Sequence, residues 1–184
     1  MHVAIICGYG LWDVSLRSPR ELAGLYDYYQ ECFCHLQGEN IIEVVLCGGY
    51  TNPLKPCLSE AQSVYNAIQD KKLNTTMLDL LLEEESSNAV QNIAFALKVL
   101  RRSRPTEVTI YCDTVRRWKM KVIAARVLGN MRHSVVAFPR MDIHPNSKAW
   151  KQNVQALRLA FSRRLFETQL HAPYASKPKN PPSP

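Results

Sequence analysis

Five polar segments hold residues suited to binding or transforming a ligand, and four of them, all but LSEAQ, begin where a short apolar run ends. In LLLEEESSNAVQN, Glu83 is followed by Ser86, Asn88 and Asn92. A glutamate among hydroxyls and amides can orient a ligand's hydroxyl or amine, bind a cation, or take a proton as a general base. LSEAQ offers a second carboxylate, Glu60, directly after Ser59. In CDTVRRWK, Arg116 and Lys119 lie three apart, so a helix would place both on one face, where they could clamp an anion. Asp113, just before them, is the second candidate base. CGYG (Gly8, Gly10) and CGGY (Gly48, Gly49) are turns whose missing side chains let backbone approach a ligand closely.

Each segment also has a plain structural use. Ser59 with Gln62, and Asn88 with Gln91, have capping-box spacing, so both predict helix starts. Glu60 would then sit in a first turn, where the helix dipole favours a carboxylate. Capping accounts for Asn88 but not for Glu83, Ser86 and Asn92 together, and Asn92 lies one turn on from Asn88 at the same helix mouth. Cations at a helix start oppose the dipole by about 0.3–1 kcal/mol each, so Arg116 and Lys119 form either a solvated basic face or an anion site. Trp118 and Val122 are assigned to the core-facing stripe of that helix. Neither glycine pair matches GxGxxG or a Walker loop, and no G-x-S-x-G nucleophile elbow occurs. Asp13 in the first loop and His144 after the last apolar run could reach the same rim; ordinary loop roles also explain both.

The flanking elements must bring these segments together. Five apolar runs are strand candidates: Val3–Gly8, Ile41–Gly49, Met77–Glu84, Glu107–Asp113 and His133–Pro139. Their near-continuous apolar character predicts burial on both faces, as in a parallel sheet. Helices are expected over 19–37, 59–71, 88–103, 115–129 and 147–167, the third presenting Ile93, Ala96, Leu97 and Leu100 on one face. Alternating strands and helices imply right-handed crossovers and a Rossmann-like α/β fold, an open parallel sheet of about five strands flanked by helices. Ligands of such sheets bind outside the carboxyl ends of the strands, where those four polar segments fall. Residues 1–170 are expected to form a single domain, and 171–184, with the proline-rich stretch from Pro173, a disordered tail.

Composition narrows the partner classes. The chain has 184 residues, 46% hydrophobic and 21% charged, which suits a packed core and argues against wholesale disorder. Its 23 basic and 16 acidic residues leave a net charge of +7, favouring a phosphorylated small molecule, a nucleic acid or a membrane surface. MHVAIICGYGLWD lacks a basic leader, and no window approaches the ~20 apolar residues of a transmembrane span, so a cytoplasmic protein is expected. Cys7, Cys47 and Cys112 lie in strand runs, as buried thiols of a reducing compartment would. Cys32, Cys34 and His35 in ECFCH raise the question of a metal, but helix residues two apart point away from each other, and no metal is expected.

The ordered set of motifs resembles the YdcF-like family, which includes SanA- and ElyC-type proteins. That family's pattern runs through a glycine turn after strand one, an arginine opening the first helix, a GG turn and S-E-A. It continues with E-x-x-S-x-N-T-x-E-N and T-S-x-x-H-x-x-R. The matching residues here are Gly8 and Gly10, Arg20, Gly48 and Gly49, Ser59–Glu60–Ala61, and Glu83, Ser86, Asn88 and Asn92, within roughly residues 3 to 130. Ala89 and Gln91 replace the family's threonine and glutamate, while Arg116 and Lys119 stand at its histidine and arginine positions. The resemblance implies a Rossmann-like fold with a polar pocket at the sheet's carboxyl edge and a nucleotide-like or S-adenosylmethionine-like ligand. A histidine acting as acid or base there would be lost, because arginine does not titrate near neutral pH; positive charge suited to an anion remains.

Three functional expectations result. The first is a small anionic ligand, with Glu60 and Glu83 on hydroxyls or amines, Asn88 and Asn92 hydrogen-bonding it, and Arg116 and Lys119 on its charged end. A sugar phosphate or nucleotide would use every group. The second is hydrolysis or group transfer with Glu83 or Asp113 as base, which Arg116 in place of histidine weakens. The third is a non-catalytic module binding a macromolecular polyanion through Arg101, Arg102, Arg104, Arg163 and Arg164. Nucleic acid is the obvious polyanion, although no recognised nucleic-acid motif appears.

Overall fold

The apolar runs pair into one sheet. The computed structural model describes residues 1–70, 73, 78–100, 104–140 and 145–174. Strands and helices alternate as β1 (His2–Cys7), α1 (Pro19–Gln37), β2 (Ile41–Cys47), α2 (Glu60–Gln69), β3 (Asp79–Glu83) and α3 (Ala89–Val99). Then come β4 (Glu107–Asp113), α4 (Arg117–Leu128), β5 (Arg132–Phe138), α5 (Pro145–Phe161) and α6 (Arg163–Leu170). Every pairing is parallel and the strand order is β3-β2-β1-β4-β5, a Rossmann-like α/β arrangement. The central strands β1 and β4 are buried almost throughout, whereas β3, at an edge, starts exposed at Asp79. Helices α3 to α6 pack on one another in one layer, and right-handed crossovers place α1 and α2 on the other face. There His35 of α1 meets the rings of Tyr111 and Phe138.

Capping residues set where the helices begin. Ser18 and Glu21 form a complete capping box ahead of Pro19. Ser59 and Asn88 cap α2 and α3 at the expected places, but without reciprocal bonds from Gln62 and Gln91. Gln62 reaches Asn66 instead, and Gln91 Oε1 accepts from the Ser87 amide and hydroxyl. Asp113 caps a 3₁₀ turn, Thr114–Arg116, from which α4 continues.

Two expectations about helices are corrected. The core face of α4 is Met120, Ile123, Ala124 and Leu128, while Trp118 is 52% exposed. Trp118 lies two residues before Met120, about 200° around the helix, and so points away from the core. The helix expected over 147–167 is two: Ser162 has extended backbone (φ −109°, ψ 103°) that ends α5, and its hydroxyl caps α6.

Residues 171–174, assigned to the tail, lie along the start of α3. Gln91 donates to the carbonyls of Leu170 and Ala172, Ser87 to that of Pro173, and Tyr174 packs edge-on against Phe95. Residues from 175 onward fall outside the described residues, as do Met77, Arg101, Arg102 and His144. Among the described residues no helix is long and apolar enough to cross a membrane.

Candidate functional site

Strands β1 and β4 are neighbours whose onward connections run to opposite sides of the sheet, which opens a crevice at their carboxyl ends. A cleft of about 150 Å³ lies there. It gathers eight of the predicted residues: Gly8 and Gly10 after β1, Gly48 after β2, Glu60 on α2, Ser86, Asn88 and Asn92 at the start of α3, and Arg116 after β4. Tyr9, Thr51, Ser87 and Ala89 complete the lining. The volume is below the ~300–1,000 Å³ of sites that engulf a drug-sized ligand, and fits a compact charged group with a few atoms attached.

The glycine turns are shaped around Glu60. A Cβ on Gly8 would collide with the Cys47 carbonyl oxygen and stand 2.7 Å from Glu60 Oε2, and one on Gly48, where φ is +141°, would lie 2.7 Å from the Glu60 Cβ. Backbone bonds from Glu60 to Gly49 and from Ala61 to Gly48 draw the first turn of α2 onto the GG turn. The Gly48 and Gly49 amides in turn donate to the carbonyls of Glu83 and Ser86, joining the ends of β2 and β3. The Thr51 hydroxyl donates to Glu60 Oε1. The result is one carboxylate held at the mouth of the cleft by a hydroxyl and two side-chain-free turns.

Arg116 supplies the opposite charge. Its guanidinium lies 4.2 Å over the Tyr9 ring, and Nε is 3.6 Å from Asp113 Oδ2. Burial opposes its positive charge, but Tyr9 and Asp113 more than restore it, so its pKa lies above the ordinary arginine value. Tyr9 is anchored because its hydroxyl accepts the Asp113 amide at 2.7 Å. Arg116 therefore keeps its charge while half-buried, the property needed to hold an anion.

The remaining candidates fall elsewhere. Glu83 is 2% exposed and does not line the cleft; its Oε1 accepts the amides of Glu85 and Ser86 at 2.8 Å each. Burial pushes its carboxyl above the usual range, against hydrogen bonds from Ser86 and Glu85 that lower it. Asp113 is committed to the Arg116 amide and guanidinium. Both candidate bases thus hold loops in place, because a carboxylate at a strand end is the nearest acceptor for the amides turning away from it. Gly49 is consumed by the turn. Arg20 is exposed on the first turn of α1, and Lys119 turns to Gln155 Oε1 at 2.9 Å. Burial first, and Arg116 second, lower the Lys119 ammonium's pKa.

Within the cleft, Asn88 is spent on structure. Its oxygen accepts two α3 amides, and its nitrogen donates to the Gln169 carbonyl. Asn92 lies against Cys7, whose thiol burial pushes up to about 12, so no thiolate nucleophile is present there. Asp13 bonds Ser15 and pairs with Lys55, outside the cleft. Cys32 is buried, Cys34 is exposed, and His35 bonds the Tyr111 hydroxyl; among the described residues no three metal-ligating side chains converge. Arg163 and Arg164 are exposed at the start of α6, as is Arg104, which has a left-handed backbone.

Sequence reasoning passed over Tyr9, Arg17 and Arg140. Arg17 donates to the Tyr9 and Leu11 carbonyls, and its guanidinium fills the space a Cβ on Gly10 would need. Arg140, only 8% exposed, has its guanidinium 5.4 Å from the Tyr9 ring centre. An aromatic residue between two glycines, and an arginine just past the fifth strand, were the available signals. No protein-family model matches the chain, and neither the curated proteins nor the solved structures searched contain a match.

Proposed function

We propose that this is a cytoplasmic, YdcF-like protein that binds a small anionic ligand in the cleft at the carboxyl edge of its sheet. The observation that carries the proposal is the meeting of Glu60 and Arg116, opposite charges on different connections, across three glycines at the switch point. Arg116 takes the anionic end, and Glu60 accepts from a hydroxyl or amine. A sugar phosphate, a nucleotide or an S-adenosylmethionine-like molecule presents both features, with its bulkier part left at the open rim. Binding without bond breaking is the reading supported, since Arg116 does not titrate near neutral pH, Glu83 and Asp113 are tied to backbone amides, and Cys7 is protonated. Four buried free thiols suit a reducing compartment.

A thermal-shift series against these three ligand classes and divalent cations tests the proposal, with Arg116→Ala and Glu60→Gln run in parallel. The expected result is a rise in melting temperature with one anionic class that both variants abolish. No rise with any class, or a rise that both variants keep, overturns it.

A further inference from the structure

Helix α5 buries Ala156 and Leu159 and turns Trp150, Val154, Leu157 and Phe161 outward, at 61%, 36%, 49% and 85% exposure. Their i, i+4, i+7, i+11 spacing sets them in one line along the helix, opposite its buried side. Trp118 of α4 adds a further exposed ring in the wall of an adjoining recess of about 410 Å³, which Arg117, Lys121 and Asn153 also line. A row of large exposed apolar side chains marks a surface that meets something apolar.

The surrounding charge indicates what that is. Helices α4 and α5 contain no aspartate or glutamate, and Arg117, Lys121, Lys151 and Arg158 are exposed on them. Residues 1–113 hold 14 acidic and 9 basic residues, whereas residues 114–184 hold 2 acidic and 14 basic ones. The apolar line therefore stands in a field of a single sign, supplied by the later part of the chain.

We propose that the α4–α5 face docks on an anionic membrane surface, with α5 lying in the membrane plane. Its apolar line enters the boundary between headgroups and acyl chains, while the cations meet lipid phosphates and carboxylates. Tryptophans beside the line are the residues that such an interface favours. A nucleic acid would use the cations but not Val154, Leu157 and Phe161. A second copy of this face would set like charges against each other beside the seam, because these two helices offer only one sign. The proposal does not depend on the cleft or its ligand.

Co-sedimentation of the full chain with phosphatidylcholine vesicles, with and without phosphatidylserine, tests it, together with quenching of tryptophan emission by brominated lipid. Two paired variants are compared: Leu157→Ser with Phe161→Ser, and Lys151→Glu with Arg158→Glu. All four positions are exposed, so melting temperatures should stay at the wild-type value. The expected result is binding only to serine-lipid vesicles, with quenching, and a loss of about tenfold or more in each paired variant. No vesicle binding overturns the proposal, as does binding that the serine pair leaves intact, which would be charge attraction without insertion. Self-association or RNA binding lost in these variants, without lipid binding, would also overturn it and reassign the face.

Discussion

Gly48 and Gly38 show how much the local backbone decides the effect of one methyl group. Gly48 has φ +141°, and an added Cβ would press on Glu60, whereas Gly38 has ordinary helical φ, and its Cβ would meet only the His35 carbonyl at 3.6 Å. Gly48→Ala is expected to lower stability by more than ~1 kcal/mol in urea titrations, while Gly38→Ala should be neutral or raise it by ~0.4–1 kcal/mol. Glu83 gives a pH signature. Its carboxyl is raised by burial, so the native state holds the proton more tightly than the unfolded chain, where the pKa is about 4.3. Stability from this group is therefore greatest below that value, falls as pH rises through the window up to the folded pKa, and stays lower above it. Melting curves across this range should show the wild type losing ground to Glu83→Gln as pH rises.

Among the elements, α3 concentrates the connections. Its cap, Asn88, bonds two amides of its own helix and the end of α6, so one side chain fixes a helix start and joins it to a distant segment. Asn88→Ala should cost about 1–2 kcal/mol in urea unfolding from the cap. Asn88→Asp, which keeps the cap acceptor but not the donor to Gln169, should fall between that variant and the wild type. The position of this cap was legible in SSNAVQN, because N-capping is a local interaction. The phase of α4 was not: the 3₁₀ turn that opens it is held by Asp113, and its core face is chosen by what it packs against, which left Trp118 outside.

In the whole molecule, the segment after α6 closes over the start of α3. Gln91 has no solvent exposure and donates to the Ala172 carbonyl at 2.8 Å, while Tyr174 covers Phe95. Ending the chain after Leu170 should leave that amide short of an acceptor and lower stability by ~1–3 kcal/mol, measured by urea unfolding against the full chain. The molecule also separates its charges. Glu60 belongs to the acidic part of the chain and the basic α4–α5 face to the later part, and the ligand cleft joins the two, with Glu60 from the first and Arg116 from the second.

The strand runs and their alternation with helices were enough to specify a parallel α/β sheet and the edge where polar residues gather, because burial on both faces and crossover handedness are written in short-range pattern. The same reading placed Gly8, Gly48, Glu60, Asn92 and Arg116 at that edge, since each follows a strand or opens a helix. Tertiary structure alone decided which of these residues meet. Glu83 and Asp113 are drawn under the loops by backbone amides, Arg20 faces solvent, and Lys119 turns to α5. The amides that hold Glu83 and Asp113 are close neighbours in the chain, but Lys119 meets Gln155 and Tyr9 meets Asp113 across long separations, and periodicity carries no record of such pairings.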